Sequence, residues 1–343
     1  MESSVSVPAD LAGSLIRKSK QGLVLWAEGF REACCLHRVF IYCFRSRQLA
    51  VRTGQCFLLN GFIFLGSIFL LKSVIVPALQ WILPDQCPQI TSEDSRSCGG
   101  ILEFYNFLRL GLVQLFYVFW FFPLYILSFI LSNIWYNDIA KHGFFAIEEY
   151  GASGTKLTDQ KESQTSQKTV SKAKSTDFEG VMIGIAEQIY SVLLLTFFFL
   201  EVYVIGFIPY IGKALNFLLL SWMYAYYCFE YKWNLSGLSL DKRLDFFETN
   251  WAFFAGFGSP CALAIFLFSP LVSYGVMAIL FPLFVLTATG SEADKIVSLP
   301  RTKWRGAGLG RVPIFYVADY VSTKILTLLP TQQGRATPEN KAL

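Results

Sequence analysis

Charge is scarce in this sequence. Of its 343 residues only 16% are Asp, Glu, Lys or Arg, against about 25% in average soluble chains. Histidine is nearly absent, with only His37 and His142, which argues against a histidine-based metal or acid–base centre. The eight cysteines form no CxxC pair and no zinc spacing. No basic run stands beside stacking aromatics in a polar context, so nucleic acid is set aside as a partner despite the net charge of +4. No short apolar core next to a cleavage site opens the chain, so the first hydrophobic helix is expected to act as an uncleaved targeting signal. Gly206 to Gly212, followed by Lys213 and Ala214, imitates a phosphate loop. It has one residue too many, lacks Ser or Thr after the lysine and follows no strand.

Hydrophobic residues make up 54% of the chain, with 33 Phe, 16 Tyr and 8 Trp, and the mean hydropathy is +0.45. These values place the chain among all-α polytopic membrane proteins. Val181–Ile208 is almost unbroken apolar sequence, punctuated by Gly206-Phe-Ile-Pro-Tyr-Ile-Gly212. A second run, Ala214–Phe229, ends in Tyr, Trp and charge, where an aromatic belt belongs. A bilayer core takes about 20 helical residues, and proline between two glycines marks a reversal. This predicts a helical hairpin tipped by Gly206, Pro209 and Gly212. Trp251–Gly290 reads as a second hairpin, turning at Ser269-Pro270. Cys56–Leu83 and Ile101–Tyr136 read as two long transmembrane helices, the second projecting into the cytosol or bending at Pro123.

Five segments follow: a basic interfacial region at 1–54, the two long helices at 55–150, a flexible polar linker at 151–177, the two hairpins at 178–290, and a basic cytosolic tail at 291–343. The first carries Leu23, Trp26, Phe30, Cys34, Ile41 and Phe44 at roughly helical spacing among basic residues. Such a segment suits anionic headgroups, while Gly13, Gly22 and Gly29 weaken it as one helix. Cys34, Cys35 and Cys43 are either lipidation sites or ordinary cytosolic thiols.

Counting Lys and Arg sets the orientation. Residues 1–54 hold eight, 84–100 one, 137–180 six and 291–343 eight. Both termini and the linker are therefore expected in the cytosol and the 84–100 loop in the lumen, where Cys87 and Cys98 could join in a disulfide. The sequon Asn234-Leu-Ser236 is then cytosolic and unglycosylated.

Lys72, Glu103, Arg109, Glu187 and Glu201 lie within apolar runs, and intramembrane ionisable groups tend to find partners or water. Lys72 and Arg109 either face an anion path, or snorkel, or form ion pairs with Glu201 and Glu187. Glu230, Asp241 and Asp245 read as an interfacial salt-bridged connection. Phe178-Glu-Gly-Val181 fits a short motif bound by strand addition.

Four stretches in order, Ile134-Trp-Tyr-Asn-Asp-Ile-Ala140, Tyr227-Cys-Phe-Glu-Tyr-Lys-Trp233, Asn250-Trp251 with Gly256-Phe-Gly258, and Ile279-Leu-Phe-Pro-Leu-Phe284, resemble the etoposide-induced protein 2.4 family over about residues 53–300. The resemblance implies an endoplasmic-reticulum membrane protein associated with autophagy, distantly similar to CysZ-type sulfate permeases whose hairpins enter the membrane part way. The permeases' glycine–leucine–asparagine motif is not evident before the first helix. The expected role is non-catalytic and architectural, without a cofactor. The expected partners are a bilayer with anionic headgroups and autophagy proteins, with self-association into a homo-oligomer left open. The alternative is a sulfate-permease-like anion transporter.

Overall fold

The computed structural model describes residues 9–82, 104, 107–108, 110–115, 117–155, 178–303 and 309–328. Every secondary-structure element among the described residues is helical. The chain opens with α1 (Ala9–Ala33) and α2 (Leu36–Arg45). It then enters the membrane along α3 (Arg47–Ala78). A second span, Leu110–Glu149, is carried by a π-helical turn at Tyr117–Phe121 and by α4 (Phe122–Thr155). The first hairpin pairs α5 (Phe178–Ile205) with α6 (Gly212–Leu235). A short helix, α7 (Leu240–Thr249), meets α8 (Trp251–Leu267) at a 90° bend. The second hairpin is α8 with α9 (Pro270–Gly290), and α10 (Ala293–Lys303) and α11 (Tyr316–Leu328) follow. Three of these helices are long and apolar enough to cross a bilayer, Arg47–Ala78, Leu110–Glu149 and Pro270–Gly290, and the bent α7–α8 pair makes a fourth when taken as one span.

The core is built around α8. Its residues Ala252 to Ser259 are all buried, although the helix has no polar face to sort it by period. Small residues let neighbouring backbones come close. A Cβ at Gly256 would lie 1.9 Å from the Trp26 carbonyl oxygen, and one at Gly29 would lie 2.0 Å from that of Phe253. On another side, a Cβ at Gly258 would lie 1.7 Å from the Ser221 oxygen. Helices α1 and α6 thus pack backbone to backbone on α8. Large rings fill what remains: Tyr226, Phe229, Phe247, Phe253, Phe254, Phe257 and Phe315 are all essentially without exposure. They meet mostly edge to face, as between Phe229 and Phe254 at 5.1 Å, the arrangement that the ring quadrupole favours.

Several elements differ from the sequence expectation. Beside the interfacial role expected of it, α1 buries one face in the bundle, at Gln21, Leu25, Gly29, Glu32 and Ala33. Residues read as helix-weakening glycines include a contact point of the core. The boundary at 54/55 falls inside α3, and α4 runs to Thr155, past the expected linker boundary at 150/151. The bend expected at Pro123 is a π-helical turn directly ahead of it, since proline lacks the N–H that a regular turn needs. The polar stretch with Asp241 and Asp245 between the two hairpins contains α7.

The described part of the tail from 291 is folded too. Val312 N–H donates to Glu248 O at 3.2 Å, and the buried Glu248 carboxylate accepts from Arg311 Nε at 2.7 Å and from Phe315 N–H at 3.1 Å. Arg311 also reaches Asp245 at 3.0 Å. This seats α11, which packs on α5. Phe178 to Val181 form the first turn of α5, a helical conformation at odds with strand addition. Cys87 and Cys98 lie outside the described residues.

Candidate functional site: a polar cavity between the membrane helices

A proline fixes the first part of the site. Pro282 sits inside α9 and has no N–H, so the carbonyl four residues earlier, that of Ala278, loses its intrahelical donor. Two side chains from other helices take its place. Tyr136 OH on α4 donates to Ala278 O at 3.0 Å, and the Cys56 thiol on α3 donates to the same oxygen at 3.6 Å. Beside them Asn60 is fully buried. Its Nδ2 donates to Ser132 Oγ at 2.8 Å and to Cys56 O at 3.1 Å, while its Oδ1 accepts from Ser128 Oγ. Asn60 lies in a π-helical turn, Leu58–Leu65, a local widening common at functional positions. The network joins α3, α4 and α9 in a region where unpaired polar groups are costly.

This network borders a cavity of about 990 Å³ among α4, α5, α6 and α9. Tyr224, Tyr227, Glu230, Tyr231 and Asn234 of α6 line one wall, on a single stripe at helical spacing. Tyr125, Phe129, Ser132, Asn133 and Tyr136 of α4 face them. Glu230 is the charged residue among the liners. Ser191 Oγ of α5 donates to Glu230 Oε1 at 3.4 Å. Arg243 stands behind that end, donating to Asn234 Oδ1 and, at 2.6 Å, to Leu238 O. The rim residues Phe129, Val192, Thr196 and Phe199 are exposed, so the cavity opens sideways between α4 and α5.

The sequence-predicted residues fall elsewhere. The Lys72 side chain is on the exposed face of α3 and, among the described residues, forms no ion pair. Glu201 is half-buried, with Oε2 enclosed and unbonded among the described residues. Of the alternatives for Lys72, its exposed side chain is in the position that snorkelling needs, and no ion pair with Glu201 is formed among the described residues. Arg109, Glu103 and the Glu187 side chain lie outside the described residues. Gly206 and Pro209 occupy the break between α5 and α6, and Gly212 opens α6. Tyr210, and neither glycine, holds the positive φ of 63°. Pro270 is the first residue of α9. Phe207, Ile208, Tyr210 and Ile211 at the first tip are all exposed, an apolar surface suited to lipid. Glu230 does not share a connection with Asp241 and Asp245: it faces the cavity, while Asp245 pairs with Arg311. Among the thiols outside the spans, burial pushes Cys34 and Cys43 above their ordinary range, Cys35 adding to the shift at Cys34. Both are correspondingly poor nucleophiles at neutral pH.

The cavity liners Ser132, Tyr136 and Tyr274, and Asn60 and Ser128 of the network beside them, escaped the sequence reading as site residues. A signal was present: Tyr125, Ser128, Ser132 and Tyr136 recur every three or four residues on an otherwise apolar helix.

Two of the sequence motifs meet here, one through Tyr136 and one through Pro282. A family model described as sulfate transporter CysZ/etoposide-induced protein 2.4 matches residues 35–282. The chain belongs to the EI24 family. It is 67% identical over 311 residues to a protein EI24 homolog of Arabidopsis thaliana, covering 91% of this chain and 96% of that one. A protein EI24 homolog of Dictyostelium discoideum is 28% identical over 310 residues, covering 89% and 84%. Ectopic P granules protein 4 of Caenorhabditis elegans is 38% identical over 82 residues, 24% of this chain and 26% of that protein. No solved structure matches. In this EI24-family chain the motif around Asp138 also ties α4 to α3, through Arg52 Nε at 3.5 Å.

Proposed function

We propose that this chain is a multi-pass protein of the endoplasmic-reticulum membrane, with both termini cytosolic, that supports autophagy-linked membrane processes architecturally and without catalysis of its own. The supporting observation is that both basic terminal segments are fastened to the membrane helices, α1 through Gly29 and Gly256 and the tail through Glu248. A scaffold requires such cytosolic surfaces to be rigid parts of the bundle. Family membership and the partial likeness to ectopic P granules protein 4 agree with this role. The partners it would take are an anionic bilayer surface and autophagy proteins.

The family description also names a sulfate transporter, and an anion permease is the second reading. It has less support, because the cavity presents the Glu230 carboxylate and the Lys72 side chain is on the outer face of α3. Sulfate uptake into proteoliposomes separates the two. A scaffold gives flux no greater than empty vesicles. Saturable flux that is lost in Lys72→Ala or Arg109→Ala would replace the scaffold by the permease.

A further inference from the structure

The cavity has a polar end and an apolar end. The Ser191–Glu230 hydrogen bond sets α5 against α6, and Phe281 stands between the walls, 5.1 Å from the Tyr136 ring and 6.4 Å from the rings of Tyr224 and Tyr231. Toward the hairpin tips lie Tyr224, Phe199, Phe129 and Tyr274. From Tyr224 to Asn234 the helical rise is about 15 Å, room for a small head group followed by an aliphatic chain. The mouth between α4 and α5 carries Phe129, Val192 and Phe199, the surface an acyl chain contacts in a bilayer.

Charge decides the head group. The liners include one carboxylate, no Lys and no Arg. Arg243 is engaged with Asn234 and Leu238; its charge acts on Glu230 from behind the wall, but among the described residues it forms no salt bridge to that carboxylate. A phosphate entering this site would meet Glu230 with no lining base to offset it. An ammonium would meet a carboxylate flanked by the Tyr227 and Tyr231 rings, which add cation–π attraction.

We propose that this cavity binds a cationic single-chain amphiphile of the long-chain amine class, its ammonium on Glu230 and its tail leaving between α4 and α5. The site does not depend on the architectural role proposed above.

The test uses the full chain in dodecyl maltoside and tritiated sphingosine, measured by saturation binding. N-acetylsphingosine, which lacks the charge, and lysophosphatidic acid, a single-chain amphiphile with an anionic phosphate head, serve as competitors. The expected result is saturable sphingosine binding, with both competitors at least tenfold weaker. Glu230→Gln should weaken sphingosine at least tenfold, and Val192→Trp at the mouth should block it. Asp245→Asn, outside the cavity, should leave it unchanged. Equal affinity for N-acetylsphingosine, unchanged binding in Glu230→Gln or uptake that never saturates would overturn the site. Should Glu230→Gln fail to fold, a photoactivatable long-chain amine on the native chain decides. Cross-links on α5 and α6 peptides around Val192 and Glu230 support the site, and cross-links spread over the lipid face of α3 refute it.

Discussion

Gly258→Ala would force α6 and α8 apart. The added Cβ would lie 1.7 Å from the Ser221 oxygen, whereas ordinary contact begins at 3.4 Å. Both atoms belong to rigid helix backbones, so no side chain can rotate away. The seam would have to open by roughly 1.7 Å, and a gap of about 0.5–1 Å already forfeits a quarter to a half of a dispersion contact. Overpacking of this kind costs about 1–3 kcal/mol, and the upper end applies because backbone must move. For a chain of 343 residues a loss near 3 kcal/mol lowers Tm by about 4 °C. The control is Gly66→Ala. Gly66 lies in a helix with nothing within 4 Å of an added Cβ, so alanine there should gain about 0.5–1 kcal/mol from helix propensity. The assay is size-exclusion chromatography after stepwise heating in dodecyl maltoside. A Gly258→Ala melting point within about 1 °C of the native chain, about 0.7 kcal/mol or less, would refute the backbone packing of α8.

Three further outcomes follow from the same structure. Tyr136→Phe removes one donor from the Ala278 carbonyl and should cost about 0.6–1.7 kcal/mol, the range for hydrogen bonds between membrane helices; in a Pro282→Ala background, where residue 282 regains its N–H, the double-mutant cycle should show a smaller loss. Glu248→Ala strands the buried Phe315 N–H, at a cost of about 1–3 kcal/mol, and leaves Arg311 with only its exposed pairing to Asp245, so trypsin should cut after Arg311 at least tenfold faster than in the native chain; an unchanged rate would show that Glu248 does not hold the tail. Asn234 carries the sequon, and its Oδ1 accepts from Arg243, so a glycosidase should leave the electrophoretic mobility of the cell-derived protein unchanged; a shift lost in Asn234→Gln would reverse the proposed orientation.

The hairpins were legible because proline and apolar run length act locally. Pro209 and Pro270 break helices wherever the rest of the chain goes, and composition alone marked the bundle as membranous. The burial of α1 was not legible, since Gly29 reads as a weak helix former until Gly256 is placed against it. The tail was missed for the same reason: its anchor, Glu248, is 63 residues from Arg311 in sequence. The cavity was half legible. Ionisable residues in apolar runs drew attention to Lys72 and Glu201, but the decisive event is the carbonyl freed by Pro282, whose partners come from two other helices. Glu230 was visible as a carboxylate, although only the register of α5 on α6 turns it toward the cavity.

Autophagic flux in cells lacking this protein tests the architectural role most directly. The chain without residues 156–177 and the Glu248→Ala chain should each insert and localise normally in the endoplasmic reticulum, yet restore flux poorly beside the native chain. Full restoration by both, together with loss of rescue in Lys72→Ala, would contradict the scaffold and leave transport as the function.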